Sequence, residues 1–209
     1  MLNVIKKIAS ILVICAVLCV LAGCGSNVST ASEFDFDAAM KDISLFGQKI
    51  SLPCYWSDLS EDFSHNEVYF PSDDDLMCAL CYKGKEIGMI AFGNCPETED
   101  ASVAESHQIV CIILGFTDYE YPYSDHDRDF LDRLGYYTGE MEFALGDVSM
   151  SSTESEIIAA LGEPSRISGG DSRYRYLDYK YDSGYLHFVI TTDRTYKGIM
   201  QLYIGVYSN

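Results

Sequence analysis

Six runs of strand-forming residues, in two groups of three, constrain this chain more than any other feature. The first group is "DLMCALCYKG", "KEIGMIAFGN" and "HQIVCIILGFTDY"; the second is "SRYRYLDYKY", "GYLHFVITTD" and "GIMQLYIGVY". β-Branched and aromatic residues enrich them, and Lys83-Gly84, Ser183-Gly184 and Lys197-Gly198 punctuate them as tight turns. The run starting at His107 is almost wholly apolar, as a central strand covered on both faces would be. A prelude stands before each group. In the first half Ile43 and Leu45 alternate into a turn at Gly47-Gln48, and Ile50 and Leu52 resume the pattern, which predicts a hairpin. Ser57-Asp58 is placed to cap a short helix presenting Leu59 and Phe63. In the second half Met141, Phe143 and Leu145 alternate as a strand. Ser152 or Thr153 then caps a helix, with Glu156 at the capping-box distance from Thr153. Ile157, Ile158 and Leu161 form its buried stripe, and Gly162 ends it before Pro164. Between the halves, Phe130, Leu131 and Leu134 take helical spacing, with Ser124 or Asp125 as cap and Gly135 as stop. Both halves read strand, short helix, three strands, a repeat of layout with little residue identity. The expected class is α+β: two similar units, 36–122 and 123–209, each a short helix packed on a mostly antiparallel sheet.

The N-terminal residues follow a different logic. "MLNVIKK" is basic, and "IASILVICAVLCVLA" is an apolar run of 15 residues. That is short of the roughly 20 needed to span a bilayer and fits the apolar core of a secretory leader. Leu21-Ala22-Gly23-Cys24 then resembles the lipobox of bacterial lipoproteins. The resemblance implies a signal peptide over 1–23, cleavage before Cys24 and a diacylglycerol thioether on that cysteine. The small and polar "GSNVSTASEFD" that follows reads as a flexible tether, so 24–35 is expected to be lipidated cysteine and linker. The expected location is the extracytoplasmic face of the cell membrane, with the membrane itself as one partner.

The 209 residues carry a formal net charge of −18, and the leader's Lys6 and Lys7 take two positive charges with them when it is removed. Such a chain repels nucleic acid, whose binding needs Lys and Arg to displace counterions. It repels anionic headgroups too, so attachment has to come from lipid rather than a basic patch.

Of eight cysteines, Cys15 and Cys19 leave with the leader and Cys24 is lipidated, leaving Cys54, Cys78, Cys81, Cys95 and Cys111. An odd number leaves at least one thiol unpaired within the chain. Cys78 and Cys81 have redox-motif spacing but fall in a strand. Three residues of strand span roughly 10 Å and point the two side chains to opposite faces, so buried apolar cysteine is the expectation. A Cys–His hydrolase would pair Cys54 with His65 or His107, and no nucleophile turn surrounds any of them. Asp125-His126-Asp127-Arg128-Asp129 opens like a calcium loop, but Phe130 and Tyr136 stand where the glycine and the bidentate glutamate belong. No catalytic residue, metal or cofactor is assigned, and the chain is read as non-enzymatic.

Eight of the sixteen tyrosines follow residue 170. Tyr174 and Tyr176 share one strand face, and Tyr179 and Tyr181 the other. The face without the helix, carrying Tyr174 and Tyr176 with Arg173 and Arg175, is the candidate surface for a protein or cell-wall ligand.

Asp147 to Ser165 resembles bacterial lipoproteins of the β-lactamase-inhibitor-like or SmpA/OmlA-like fold, on Ser149, Ser151, Glu156, Ile157, Leu161, Gly162 and Pro164. "FGQKISLPCYWSDL" is similar to a segment of lipoproteins from Gram-positive anaerobes, on Gly47, Leu52, Pro53, Cys54, Asp58 and Leu59. The resemblance implies a tandem-unit, non-catalytic module that binds other proteins through a concave sheet face or helps assemble envelope machinery. The runner-up is an envelope hydrolase or an enzyme inhibitor.

Overall fold

The computed structural model describes residues 34–71, 75–95, 101–115, 133, 135, 137, 139–169, 174–191 and 198–207. Cys24, Arg173, the acidic stretch 125–129 and nearly all of the helix expected at 124–134 lie outside them. Within them the protein is mostly antiparallel sheet with few helices. The first half contributes β1 (Ile43–Leu45), β2 (Gln48–Ile50), β3 (Cys54–Tyr55), β4 (Phe63–Pro71), β5 (Asp75–Tyr82), β6 (Lys85–Gly93) and β7 (Gln108–Gly115). The second contributes β8 (Phe143–Leu145), β9 (Val148–Ser149), β10 (Arg166–Ser168), β11 (Tyr174–Tyr181), β12 (Gly184–Thr191) and β13 (Ile199–Val206). The helices are α1 (Phe36–Ala39), α2 (Ala101–Ala104) and α3 (Glu154–Leu161).

A nine-stranded sheet runs β10-β11-β12-β13-β7-β6-β5-β4, with β3 also paired to β7. A second sheet of four strands runs β2-β1-β8-β9. Strands of the two halves therefore meet in both sheets, β13 on β7 and β1 on β8, each antiparallel. The all-apolar run sits inside the large sheet as β7, with Ile109 to Gly115 buried: both of its edges are paired, Ile112 and Leu114 pack into the core, and Cys111 and Ile113 pack among Met77, Met89, Tyr185 and Tyr203.

Turn chemistry sets the registers. Lys83 and Gly84 both have positive φ, as do Phe46 and Gly47, the conformation whose twist matches two antiparallel strands in a two-residue turn. The first hairpin accordingly turns on Phe46-Gly47, one residue earlier than the alternation suggests. Phe46 leaves the strand pattern and stacks on Tyr82, ring centroids 3.8 Å apart.

The core lies between one face of the large sheet and a cover made of the small sheet, α1 and α3. Ile43, Leu45, Leu145, Val148 and Ile157 of the cover meet Leu177, Phe188, Leu202, Ile204, Leu114 and Ile90 of the sheet, all at most 1 % exposed. Thr153 and Glu156 close α3 reciprocally: the Thr153 N–H donates to Glu156 Oε2 at 2.8 Å, and the Glu156 N–H donates to Thr153 Oγ1 at 3.4 Å. Gly162 follows with φ +84°, and Ile157 and Leu161 are buried beneath the helix.

Two expectations change. The helix expected after Ser57-Asp58 is a single 3₁₀ turn, Trp56–Asp58. Asp58 Oδ2 turns back to accept from the Tyr55 N–H at 2.8 Å. The Gln48 side chain donates to the Asp58 carbonyl at 2.7 Å and accepts from the Ser60 N–H at 2.9 Å. Those bonds take the groups a continuing helix would need, and the chain leaves extended toward β4. Strand β4 is itself unforeseen: His65, Asn66 and Glu67 interrupt alternation, and register shifts fall at His65/Val68 and Val68/Phe70. Irregularity of that kind suits an edge strand, since it blunts pairing with other chains. Among the described residues no helix is long and apolar enough to cross a membrane.

Candidate functional site

The face of the large sheet turned away from α3 is built by parity. Directly opposed residues share a face, so the registers define transverse rows. One row is Arg166, Asp178, His187, Tyr203, Ile113, Met89. A second is Tyr176, Val189, Gln201, Gly115. A third is Lys180, Tyr185, Gly205, Cys111, Ala91, Met77. Strands lie about 4.8 Å apart, so the first row extends roughly 24 Å across the sheet.

Its polar end is closely organised. The His187 ring stacks with Tyr176, centroids 6.0 Å apart and 23° between planes, and meets Tyr203 edge-on at 5.2 Å. His187 Nδ1 hydrogen-bonds Asp178 Oδ1, and Arg166 Nε donates to Asp178 Oδ2 at 2.7 Å. Burial pushes the Asp178 carboxyl up, but the hydrogen bonds and positive charge of His187 and Arg166 outweigh it. The carboxyl is held below its ordinary range. The other end is apolar: Ala91, Cys111 and Ile113 are buried, with Met77, Met89, Tyr185 and Tyr203 packed against them. Gly205 makes that packing possible. A Cβ there would lie 2.4 Å from the Tyr185 ring, which crosses the bare backbone and brings its hydroxyl to 3.6 Å from Cys111 Sγ.

Tyr174 and Tyr176 stand together on this face, both half-buried. Arg175 does not join them. It points to the opposite face, where Nη2 donates to Glu154 Oε1 at 2.7 Å in the first turn of α3. Tyr179 also lies on the covered side, its hydroxyl donating to the Gly162 carbonyl at 3.1 Å. Asp178, His187, Gln201 and Tyr203 are members of the face that pattern reading passed over. Asp178 was reachable, being two residues from Tyr176 on one strand. The others depend on registers that only pairing reveals.

Other chemistry-bearing groups have structural partners. Cys54, Cys78, Cys81, Cys95 and Cys111 are all buried, and none is in a disulfide. Burial, and then the charge of Asp58, push the Cys54 thiol up to about 12. Among the described residues no hydrogen bond joins Cys54 to a histidine. His65 lies edge-on against Trp56 at 4.5 Å, with Nε2 at 3.0 Å from Glu105 Oε1. A polar cleft of about 420 Å³ beside α3 is lined by Asp147, Ser149, Ser151, Ser152 and Glu156. Its hydroxyls bond one another, Ser149 to Ser151 at 3.0 Å, and the Ser149 N–H donates to Ser152 Oγ at 2.9 Å. These bonds knit the turn from β9 into the helix. Among the described residues no three His, Cys, Asp or Glu side chains are grouped as a metal site requires.

No protein-family model matches this chain, and no curated protein or solved structure matches it either.

Proposed function

We propose that this protein is an extracytoplasmic lipoprotein, anchored in the cell membrane through lipid on Cys24, whose domain is a non-catalytic binding or scaffolding module. The observation that carries the binding role is the ordered aromatic cluster Tyr176–His187–Tyr203 on the face opposite α3, with Arg166 and Asp178 at its end. Rings held against one another lose little freedom on binding and offer large area with polar tips, which suits recognition. The hydrolase reading finds less support, because a thiol held near 12 supplies almost no thiolate at neutral pH.

The domain is further read as two similar units. Each half begins with a hairpin, β1–β2 or β8–β9, and ends in a four-strand meander, β4–β7 or β10–β13. Equivalent strands pair antiparallel, as a two-fold relation between the halves requires. Tandem units are also what the resemblance to SmpA/OmlA-like lipoproteins implies.

Two measurements test this. Mass spectrometry of the natural product should find Cys24 acylated and N-terminal; a bare thiol with the leader attached would remove the placement. Partners retained from envelope extract by the full-length protein should be lost from a Tyr174→Ala, Tyr176→Ala double variant. Equal retention by both would mean this face is not the binding surface.

A further inference from the structure

The binding reading above can be narrowed by one side chain. Gln201 sits in the row with Tyr176 and is only 8 % exposed. Its Oε1 accepts from the Tyr203 hydroxyl at 3.0 Å, while its Nε2 has no partner. Turning the amide over exchanges the two atoms and still leaves one end unsatisfied. A buried amide end without a hydrogen bond is destabilising and uncommon in folded proteins, and it calls for a functional explanation. Here it lies on the sheet face that carries the Tyr176, His187 and Tyr203 rings.

Building on the binding reading, we propose that Gln201, with Tyr176, His187 and Tyr203, forms a subsite for an uncharged N-acetylated oligosaccharide, whose acetamido group pairs with the Gln201 amide when the Tyr203 side chain turns aside. An acetamido group carries both a carbonyl and an N–H, so it satisfies both ends of a primary amide at once. A pyranose ring presents a C–H surface to aromatic rings and a rim of hydroxyls to polar groups, and this face carries Tyr176, His187 and Tyr203 together with Gln201 and Asp178. Charge agrees with a neutral ligand. The Asp178 carboxylate is matched by Arg166 and His187, and the chain's −18 disfavours polyanions. An extended peptide fits less well. The backbone groups of β12 and β13 are committed to the ladder on both edges, so the face offers a peptide backbone only side chains, whereas strand addition needs an open edge.

The test is calorimetric titration of the full-length protein in detergent micelles with three probes: an N-acetylglucosamine tetramer, the glucose tetramer of the same linkage, and an uncharged capped alanine peptide. The N-acetylated tetramer should bind, with the glucose tetramer weaker by about tenfold or more, the worth of roughly one buried hydrogen bond. Gln201→Met should abolish that preference. Its fold should survive, because the substitution removes one unsatisfied group and the hydroxyl it releases belongs to Tyr203, which is only partly buried. Should that variant fail to fold, Tyr176→Ala, at a half-buried surface position, must weaken the N-acetylated tetramer by a similar factor. Equal binding of the two sugars, an intact preference in Gln201→Met or an unaffected Tyr176→Ala would overturn the subsite. Binding of the peptide alone would overturn the saccharide assignment while leaving the binding-module reading standing. Binding of no probe would overturn it too, and the extract retention experiment would then judge the broader reading separately.

Discussion

Replacing Asp178 with Asn tests whether the outer face is an ordered network or a set of adjacent rings. Asp178 accepts one hydrogen bond from His187 and one from Arg166. Asparagine keeps one acceptor oxygen, turns an NH₂ toward the other donor and loses the negative charge. The two bonds are not equal. The Arg166 side chain is 72 % exposed, so its share is screened and worth about 0–1 kcal/mol. The His187 side chain is 28 % exposed and its contact is the better shielded, so a charge-assisted bond of about 1.5–3 kcal/mol applies there. The loss at pH 7 is therefore about 2 kcal/mol, or roughly 4–8 °C in melting temperature for a chain of this size. The sign of its pH dependence follows from linkage. A carboxyl whose folded pKa is lowered contributes stability that is complete above its unfolded value, near 3.8, and is lost as pH falls through the folded value. The gap between wild type and Asp178→Asn should be full at pH 7, begin to shrink as the pH drops below about 5, and close once the wild-type carboxyl is protonated. Circular-dichroism melts at a series of pH values measure this. A gap that persists unchanged at acid pH, or no gap at pH 7, would refute the network.

Two further outcomes follow from the interior. The five buried thiols should resist an aromatic disulfide reagent at pH 8 in the native protein and all react in denaturant; rapid native labelling of Cys54, whose thiol is pushed up to about 12, would contradict its burial. Thr153→Ala removes the hydroxyl half of the α3 capping box and should lower stability by about 1 kcal/mol in urea unfolding, with an unchanged midpoint showing that the cap is dispensable.

The path from pattern to structure was clearest where the signal is local. Thr153, Glu156 and Gly162 mark both ends of α3 because capping is settled by neighbours within four residues. Lys83-Gly84 marks a hairpin because two positive-φ positions are a property of the turn itself. The helix expected at Ser57-Asp58 failed for a non-local reason: Gln48, ten residues away, captures the Asp58 carbonyl. Arg175 departs from expectation for a local reason. It is adjacent in sequence to Tyr174 and Tyr176, yet alternation sends it through the sheet to Glu154.

What the sequence determined alone is the long strand runs, helix α3 with its caps and the alternation of faces along each strand, because all of these come from short-range sterics and local periodicity. Which strands lie beside one another was decided only in the tertiary structure. Pairing β13 with β7 places Tyr203 beside Ile113, and pairing β12 with both β11 and β13 sets His187 between Asp178 and Tyr203. Hydrogen-bond registers between segments far apart in the chain leave no mark in either segment, so the cluster they assemble exists only once the sheet is folded.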